Sequence, residues 1–518
     1  MEDRWLAGST WRALCALVVA TLVVSGSSPV RADGDLTKVN HIIIAMQENH
    51  SFDNYFGALP YGKKHAYHAG KVPKGGTIPI CKPTDHHCVD ALTCTVKKNV
   101  ITSCSNSNVD RNGATISAFH QSTFCVGPDL AHQWADSHKE ANFSNPSDTL
   151  ASAPNDGFVR VNFESSEGQQ SDKNDTMGYY TRDDLPFYYG LAETFAMNDS
   201  YHAPLIGGTF ANRSFLLAGT AFGHLTTAEL LAGPPGPYKP ITGSIFDLLD
   251  ANNISWATYS SGPVNYSLAF APNSAQHQKL VADFETDAQN GTLPAVAFID
   301  PAAFASLANY TINGVKYETD EHPPSDIRAG EYYIYQYVVS PLYNSPSWKD
   351  SILFFTYDEH GGYYDHATHP PAPQPDNIMP GQCADLSNPP SSLLPGHGFD
   401  CSHSQTEEAP EVCTGFTPTG PYPDSCPKYD QLGFRVPFVA ISPFAKKKYV
   451  SHTIGDHTSV LALIEKRFLP AGTHLTNRDA AANTLEDMFD FKKSPSLKAK
   501  LPAAPPLPAN DKGCPFSG

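Results

Sequence analysis

The chain has 518 residues, 41% of them hydrophobic and 11% aromatic, with 44 prolines and 37 glycines. That is apolar material for a large core, which excludes disorder throughout, and enough Pro and Gly to require long irregular loops. The formal charge of −18 excludes nucleic acid as a partner, because displacing phosphate counterions needs basic surface, and it leaves at most transient contact with a membrane surface.

At the N-terminus Arg4 and Arg12 precede an apolar run from Ala13 to Val24 and then small residues ending in Val30-Arg31-Ala32. The pattern predicts a secretory signal peptide over 1–32, cut after Ala32, with an apolar run too short to cross a bilayer. Export to an oxidising compartment, extracellular or periplasmic, makes disulfides the expectation for the ten cysteines that follow. Five of them fall between 81 and 125 and five between 383 and 514. If all pair, an odd number of bridges joins the two groups.

The run His41 to Met46 predicts a buried strand. It ends in Gln47-Glu48-Asn49-His50-Ser51-Phe52-Asp53. Residues 60–128 are rich in Pro, Gly, Ser and Cys and predict a loop insertion held by disulfides. His132 follows, in Asp129-Leu130-Ala131-His132, and Leu185 to Phe195 predicts a helix. Gly207-Gly208-Thr209 predicts a tight turn feeding a second helix, so the Thr209 hydroxyl would lie near N–H groups that favour phosphate. The bland alternative is that Thr209 only caps this helix. Ser244 to Leu249 predicts a helix, and Ile254 to Tyr259 and Ala295 to Ile299 predict strands. His322 lies in Asp320-Glu321-His322-Pro323-Pro324. The strand expected at Ile352 to Tyr357 ends in Asp358-Glu359-His360-Gly361-Gly362, with His366 close behind. A second Cys-rich insertion is expected over 367–432, then a strand at Val436 to Ile441, a helix at Thr458 to Phe468 with Asp456 as N-cap, and an extended tail from 494 to 518.

Alternating apolar strands and helices predict an α/β/α sandwich around a mostly parallel sheet, occupying 37–493. In such sheets ligands bind beyond the carboxyl ends of strands, so the two acidic clusters are expected to converge. Glu48, Asn49, Asp358 and Glu359 would offer hard oxygen ligands suited to one divalent ion, Ca²⁺ or Mg²⁺, and Thr209 could become an alkoxide if it joined them. His132, His322 and His366 are natural acid–base groups.

Seven ordered blocks carry a more specific likeness. They are 41–57 (HIIIAMQENHSFDNYFG), 177–189, the Thr209 turn, 320–324 (DEHPP), 358–366 (DEHGGYYDH), 433–443 and 456–459. Together they resemble the phosphoesterase family of bacterial phospholipases C, plant non-specific phospholipases C and related acid phosphatases. The resemblance implies an alkaline-phosphatase-like fold and a secreted phosphoesterase acting on a small phosphoester or a phospholipid headgroup. It implies Glu48, Asn49, Asp358, Glu359 and Thr209 as metal ligands, Thr209 as nucleophile, and His132 and His322 as the groups that hold or protonate the phosphoryl group. It places Asn212, Arg213 and His366 at substrate-binding positions. Two departures stand out: His50 where the family has Arg, and Ala211 where it has Pro. At this length the chain is expected to end before the additional C-terminal β domains of the longer bacterial phospholipases, which points toward the shorter acid phosphatases. A sulfatase-like hydrolase and a non-catalytic phospholigand-binding protein are the competing readings.

One test comes from the leader alone. The N-terminus of protein recovered from the medium or periplasm is expected at Asp33, and Edman degradation or intact mass checks it; retention of residues 1–32 would make the segment an anchor.

Overall fold

The computed structural model describes residues 35–506 apart from 63–65, 75–78, 126–128, 149–152, 165–174, 230–241, 262–265, 271–275, 302–310, 313–314, 317 and 384–400. The leader and residues 507–518 therefore fall outside the described residues. Eight strands form the central sheet: β1 His41–Gln47, β2 Ala196–Asn198, β3 Trp256–Ser260, β4 Gln278–Leu280, β5 Val296–Asp300, β6 Ser351–Tyr357, β7 Phe438–Ile441 and β8 Tyr449–Ser451. Their spatial order is β4-β3-β5-β1-β6-β7-β2-β8.

The long apolar strands lie at the centre for a physical reason. Ile42 to Met46 on β1 and every residue of β6 are buried. Because successive side chains point to opposite faces, both faces of these strands must be covered, which is the layered arrangement the composition predicts. Each fully buried Ile or Phe here contributes roughly 1.5–3 kcal/mol relative to exposure. The helices expected at 185–195, 244–249 and 458–468 are present as Pro186–Thr194, Ile245–Ala251 and His457–Phe468. Asp456 caps the last of these by accepting from the Thr458 backbone N–H.

One strand departs from expectation. β7 runs antiparallel to both β6 and β2, whereas the other pairings are parallel. A run buried on both faces has the same composition in either direction, so composition does not set the direction in which the strand pairs. The three strands that escaped the sequence reading, β2, β4 and β8, have three residues each. That is too short to show a period.

Among the described residues, disulfides join Cys81 to Cys88, Cys94 to Cys104, Cys383 to Cys401 and Cys413 to Cys426. All four are local, two in each cysteine group. Cys81 is thereby unavailable as a sulfatase-type nucleophile. The tail as far as residue 506 lies against the body: Ser496 N–H donates to Pro443 O at 2.7 Å and Tyr343 Oη to Ala499 O at 2.7 Å.

Cys125 is also disulfide-bonded. With eight cysteines paired locally, the downstream cysteine still to be assigned is Cys514. Non-reducing peptide mapping is expected to recover a Cys125–Cys514 pair as the single bridge between the two groups; a free thiol at Cys514 would remove that tie.

Candidate active site

β1 and β6 are neighbours in parallel register, with Gln47 opposite Tyr357. Glu48 and Asn49 leaving β1 therefore emerge beside Asp358 and Glu359 leaving β6. Asn49 turns with φ +66°, a conformation Asn tolerates better than most residues. Its backbone N–H donates to Asp358 Oδ1 at 3.2 Å. Gly361, at φ +62°, packs so closely on this turn that a Cβ there would come 2.0 Å from Asn49 O. Any other side chain at 361 would have to push the two acidic clusters apart.

The third element is the helix Thr209–Ala218. Its N-cap is Gly208, which has no side chain to cap with, and Thr209 is the first helical residue. The turn is braced by Asn212, whose Nδ2 donates to Gly207 O at 2.7 Å and to Gly208 O at 3.1 Å while its Oδ1 accepts from Leu205 N–H. Thr209 Oγ1 lies 3.4 Å from Asn49 Oδ1. One turn further on, Arg213 reaches Asp358 Oδ2 through Nε (3.0 Å), Asp300 Oδ1 through Nη1 (3.0 Å) and Glu48 Oε1 through Nη2 (3.1 Å). Asp300 ends β5, so one guanidinium ties the ends of three adjacent strands.

A cavity of about 370 Å³ opens over this floor, lined by Glu48, Thr209, Tyr266, Asp129, His132, Asp320 and His322 among others. His132 Nδ1 donates to Leu130 O at 2.6 Å, which leaves Nε2 facing Asn49 Nδ2 at 3.4 Å and Glu359 Oε1 at 3.7 Å. His322 Nδ1 is held by Pro323 O at 2.7 Å, and its Nε2 lies 3.6 Å from Asp129 Oδ2. The two rings stand 6.0 Å apart on one wall. Burial by itself would lower the His322 imidazole, but the carboxylates of Asp129, Glu48 and Asp320 outweigh it and push it up to about 9.

The oxygen donors suit a hard cation. Burial pushes the Glu48 carboxyl up to about 7 against the pull of Arg213, and burial pushes Glu359 up to about 8 against His132. Glu359 Oε1 is buried with no hydrogen-bond donor, and the 3.4 Å between Thr209 Oγ1 and Asn49 Oδ1 is a spacing that two ligands of one such ion can span. Asp358 is more committed, with Oδ1 accepting from two backbone N–H groups and Oδ2 from Arg213. Of the expected ligands, Glu48 and Thr209 line the cavity and Asn49, Asp358 and Glu359 stand behind them.

Three positions assigned to substrate do not face it. Asn212 spends its amide on the turn and Arg213 on the strand-end carboxylates. His366 belongs to a separate buried network, with Nδ1 2.6 Å from Asp53 Oδ2, Nε2 3.3 Å from Asp90 Oδ1, and Arg435 bridging Asp53, Asp90 and Asp365. Motif position alone could not separate a strut from a contact.

Sequence reasoning also missed residues. Asp129 and Asp320 enter the cavity as companions of the two histidines. Glu321 does something different: fully buried, it accepts from Tyr55 Oη and Tyr357 Oη at 2.6 Å each, from Tyr188 Oη, and from Gln47 Nε2 at 3.0 Å. Gln47 and Tyr357 are the last residues of β1 and β6, and the Glu48 N–H donates to Asp320 O at 2.7 Å. The loop is thus tied to the strand ends by the two residues that immediately precede His322. His50, at the position where the resemblance leads one to expect Arg, joins the same network through Nε2 to Glu321 O at 3.1 Å. Adjacent acidic residues in a motif gave no signal that one points in and its neighbour out.

The comparisons with known proteins fit this site. The phosphoesterase family model matches residues 39–469, and the chain belongs to that family. It is 27% identical over 491 residues to phospholipase C A of Mycobacterium tuberculosis (strain ATCC 25618 / H37Rv), covering 89% of this chain and 79% of that protein. It is 25% identical over 527 residues to non-specific phospholipase C6 of Arabidopsis thaliana, covering 98% of this chain and 82% of that one. Among solved structures, a protein in the alkaline phosphatase superfamily from Vibrio parahaemolyticus shares a TM-score of 0.31 at 11% identity, over 59% of this chain and 65% of the other. The protein is a hydrolase of phosphoric ester bonds.

Glu321→Gln tests the anchoring of the histidine loop. The amide keeps the size but offers one acceptor oxygen in place of two, leaving buried hydroxyls unpaired at roughly 1–3 kcal/mol. The melting temperature is expected to fall, and kcat to fall at least tenfold as His322 shifts. An unchanged kcat in a folded variant would reduce Glu321 to a stability role.

Proposed function

We propose that the protein is a secreted, metal-dependent phosphoesterase in which Thr209 is the nucleophile, acting on phospholipid headgroups or similar small phosphate esters. The observation that carries this reading is the position of Thr209. It lines the cavity at the first turn of a helix whose cap is Gly208, so its hydroxyl is not spent on capping. The N–H groups of that turn favour an anionic phosphoryl group.

The oxygen donors Glu48, Asn49, Asp358, Glu359 and Thr209 are the set that would hold a divalent cation, which when bound would lower the pKa of the threonine hydroxyl and neutralise charge on the phosphoryl oxygens. Thr209 Oγ1 gives up its proton to solvent and attacks phosphorus, and the bond from phosphorus to the leaving alcohol breaks. His322, charged at neutral pH, gives the departing oxygen its proton. His132, its Nδ1–H held by Leu130 O, is the second histidine placed to hold the phosphoryl group, through Nε2 when that nitrogen carries a proton. Water next splits the phosphothreonine, restoring the threonine hydroxyl and the proton on His322. For a phospholipid the alcohol that leaves first is the diacylglycerol, and the headgroup phosphate follows.

Secretion is supported by the leader pattern and by the disulfides. Among the described residues no helix is long and apolar enough to cross a membrane.

Thr209→Ala is expected to lower kcat by about a thousandfold or more while substrate binding survives, and Thr209→Ser to retain part of the rate. Exhaustive chelation should abolish turnover of phosphatidylcholine and of p-nitrophenyl phosphate. Restoration by Mg²⁺ or Ca²⁺ supports the oxygen site. Restoration by Zn²⁺ alone would move the metal to Asp129, His132 and His322, whose ligand atoms lie within 4.8 Å of one another. Near-normal kcat in Thr209→Ala would end the covalent mechanism.

A further inference from the structure

The net charge of −18 hides a strong local inversion. Between residues 60 and 128 the sequence carries eight lysines and arginines against three aspartates. The acids there are already engaged: Asp85 lies 3.4 Å from His68, Asp90 faces Arg435 and His366, and Asp110 accepts two backbone N–H groups of its own turn. Lys71, Lys74, Lys82, Lys97 and Lys98 are all exposed. The same insertion holds Val72, Ile80, Val96 and Val100, four of the seven large apolar side chains exposed among the described residues.

The two properties meet on one hairpin. Strands Cys94–Lys97 and Val100–Cys104 pair antiparallel and are joined at their base by the Cys94–Cys104 disulfide. Cys104 is buried with Leu92, and Cys94 and Ile101 pack against that cluster. The tip is another matter. Residues 95–100 are exposed throughout, with Val96 at 38% and Val100 at 59%. Lys98 and Asn99 form the turn at φ +52° and +62°, the mirror-image geometry of tight two-residue hairpins. An anchored, cross-linked base thus projects a rigid tip carrying two valines beside two lysines. Rigidity matters because a preorganised contact surface pays little ordering entropy on binding.

We propose that this hairpin, within the basic insertion, docks the enzyme on a lipid surface that bears anionic headgroups, Lys97 and Lys98 meeting the headgroups and Val96 and Val100 entering the interface. Charge complementarity selects an anionic surface, and the valines select one with an apolar layer beneath the charge. The choice of lipid as occupant rests on the reading of the site as phospholipase-like. The acidic remainder of the chain is repelled by the same surface, so docking is oriented through the insertion and reversed by salt.

Vesicle co-sedimentation tests the surface without using turnover. The full-length secreted protein is compared on vesicles of phosphatidylcholine alone and of phosphatidylcholine with 30% phosphatidylglycerol, at low and high salt. Binding is expected to be strong only on the mixed vesicles and to fall with salt. Lys97→Ala combined with Lys98→Ala should weaken it roughly twenty-five-fold, taking each lysine near an anionic surface as worth about a fivefold change. Val96→Ser with Val100→Ser should weaken it as well. In all variants p-nitrophenyl phosphate turnover should equal that of the wild type, which reports the chemistry separately. Absence of wild-type binding, equal binding by the hairpin variants, or retention on heparin with none on vesicles would overturn the proposal. Vesicle binding by a protein that turns over no phosphoester would leave the docking surface standing and remove the catalytic reading.

Discussion

The buried guanidinium of Arg213 is the interaction on which the site depends. Asp300 ends one strand, and Glu48 and Asp358 directly follow the ends of the next two in the sheet, which run parallel to it; Glu48 and Asp358 are buried and Asp300 largely so. Isolated in that environment, each would have to neutralise or pull its strand end apart. A planar fork with donors at Nε, Nη1 and Nη2 can satisfy one carboxylate at each point, which the point charge of a lysine could not. Arg213 comes from the helix that begins at Thr209, so the contact that stabilises the strand ends also sets where the threonine hydroxyl lies.

The compensation is incomplete, and that incompleteness is what gives the site its chemistry. Glu359 and Asp320 add two further carboxyls to the three, both pushed toward their protonated form by burial, while the basic side chains beside the five include Arg213, His132, His322 and His360. Glu359 Oε1 has no donor. A surplus of buried oxygen donors in one place attracts either protons or a cation. On the opposite wall the demand is for fixed geometry, and an apolar anchor would not serve, because the loop with His322 must hold both a backbone turn and a charged ring. Glu321, with its three tyrosine donors and Gln47, supplies that rigidity beneath the loop, because a buried carboxylate that accepts from four donors holds them in one arrangement.

The outer surface follows a different rule from the core. Net charge is an average over the chain, whereas a docking surface responds to charge within a Debye length, about 8–10 Å. A strongly acidic protein can therefore carry a basic face. Here the basic residues collect in a segment whose fold is maintained by short disulfide loops, and such loops can present solvent-exposed valines that a core would otherwise absorb.

The sequence by itself determined the five longer strands, the acidic clusters after two of them and the nucleophile candidate. Runs such as His41 to Met46 and Ile352 to Tyr357 are short and almost entirely apolar, the pattern of a strand covered on both faces; Glu48, Asn49, Asp358 and Glu359 follow directly from where those strands stop. Local chemistry likewise marked Gly207-Gly208-Thr209 as a turn into a helix and Asp456 as a cap. What only the tertiary structure decided was direction and facing. β7 has the composition of its neighbours and runs the other way, because pairing direction depends on how the chain returns and not on which residues pair. Asn212, Arg213 and His366 sit in motifs beside site residues yet turn to a backbone turn, three carboxylates and an aspartate network. Glu321 lies between two cavity residues and points beneath them. Side chains one residue apart leave a loop in different directions, and which one meets the cavity is set by the partners that other strands and helices bring to it.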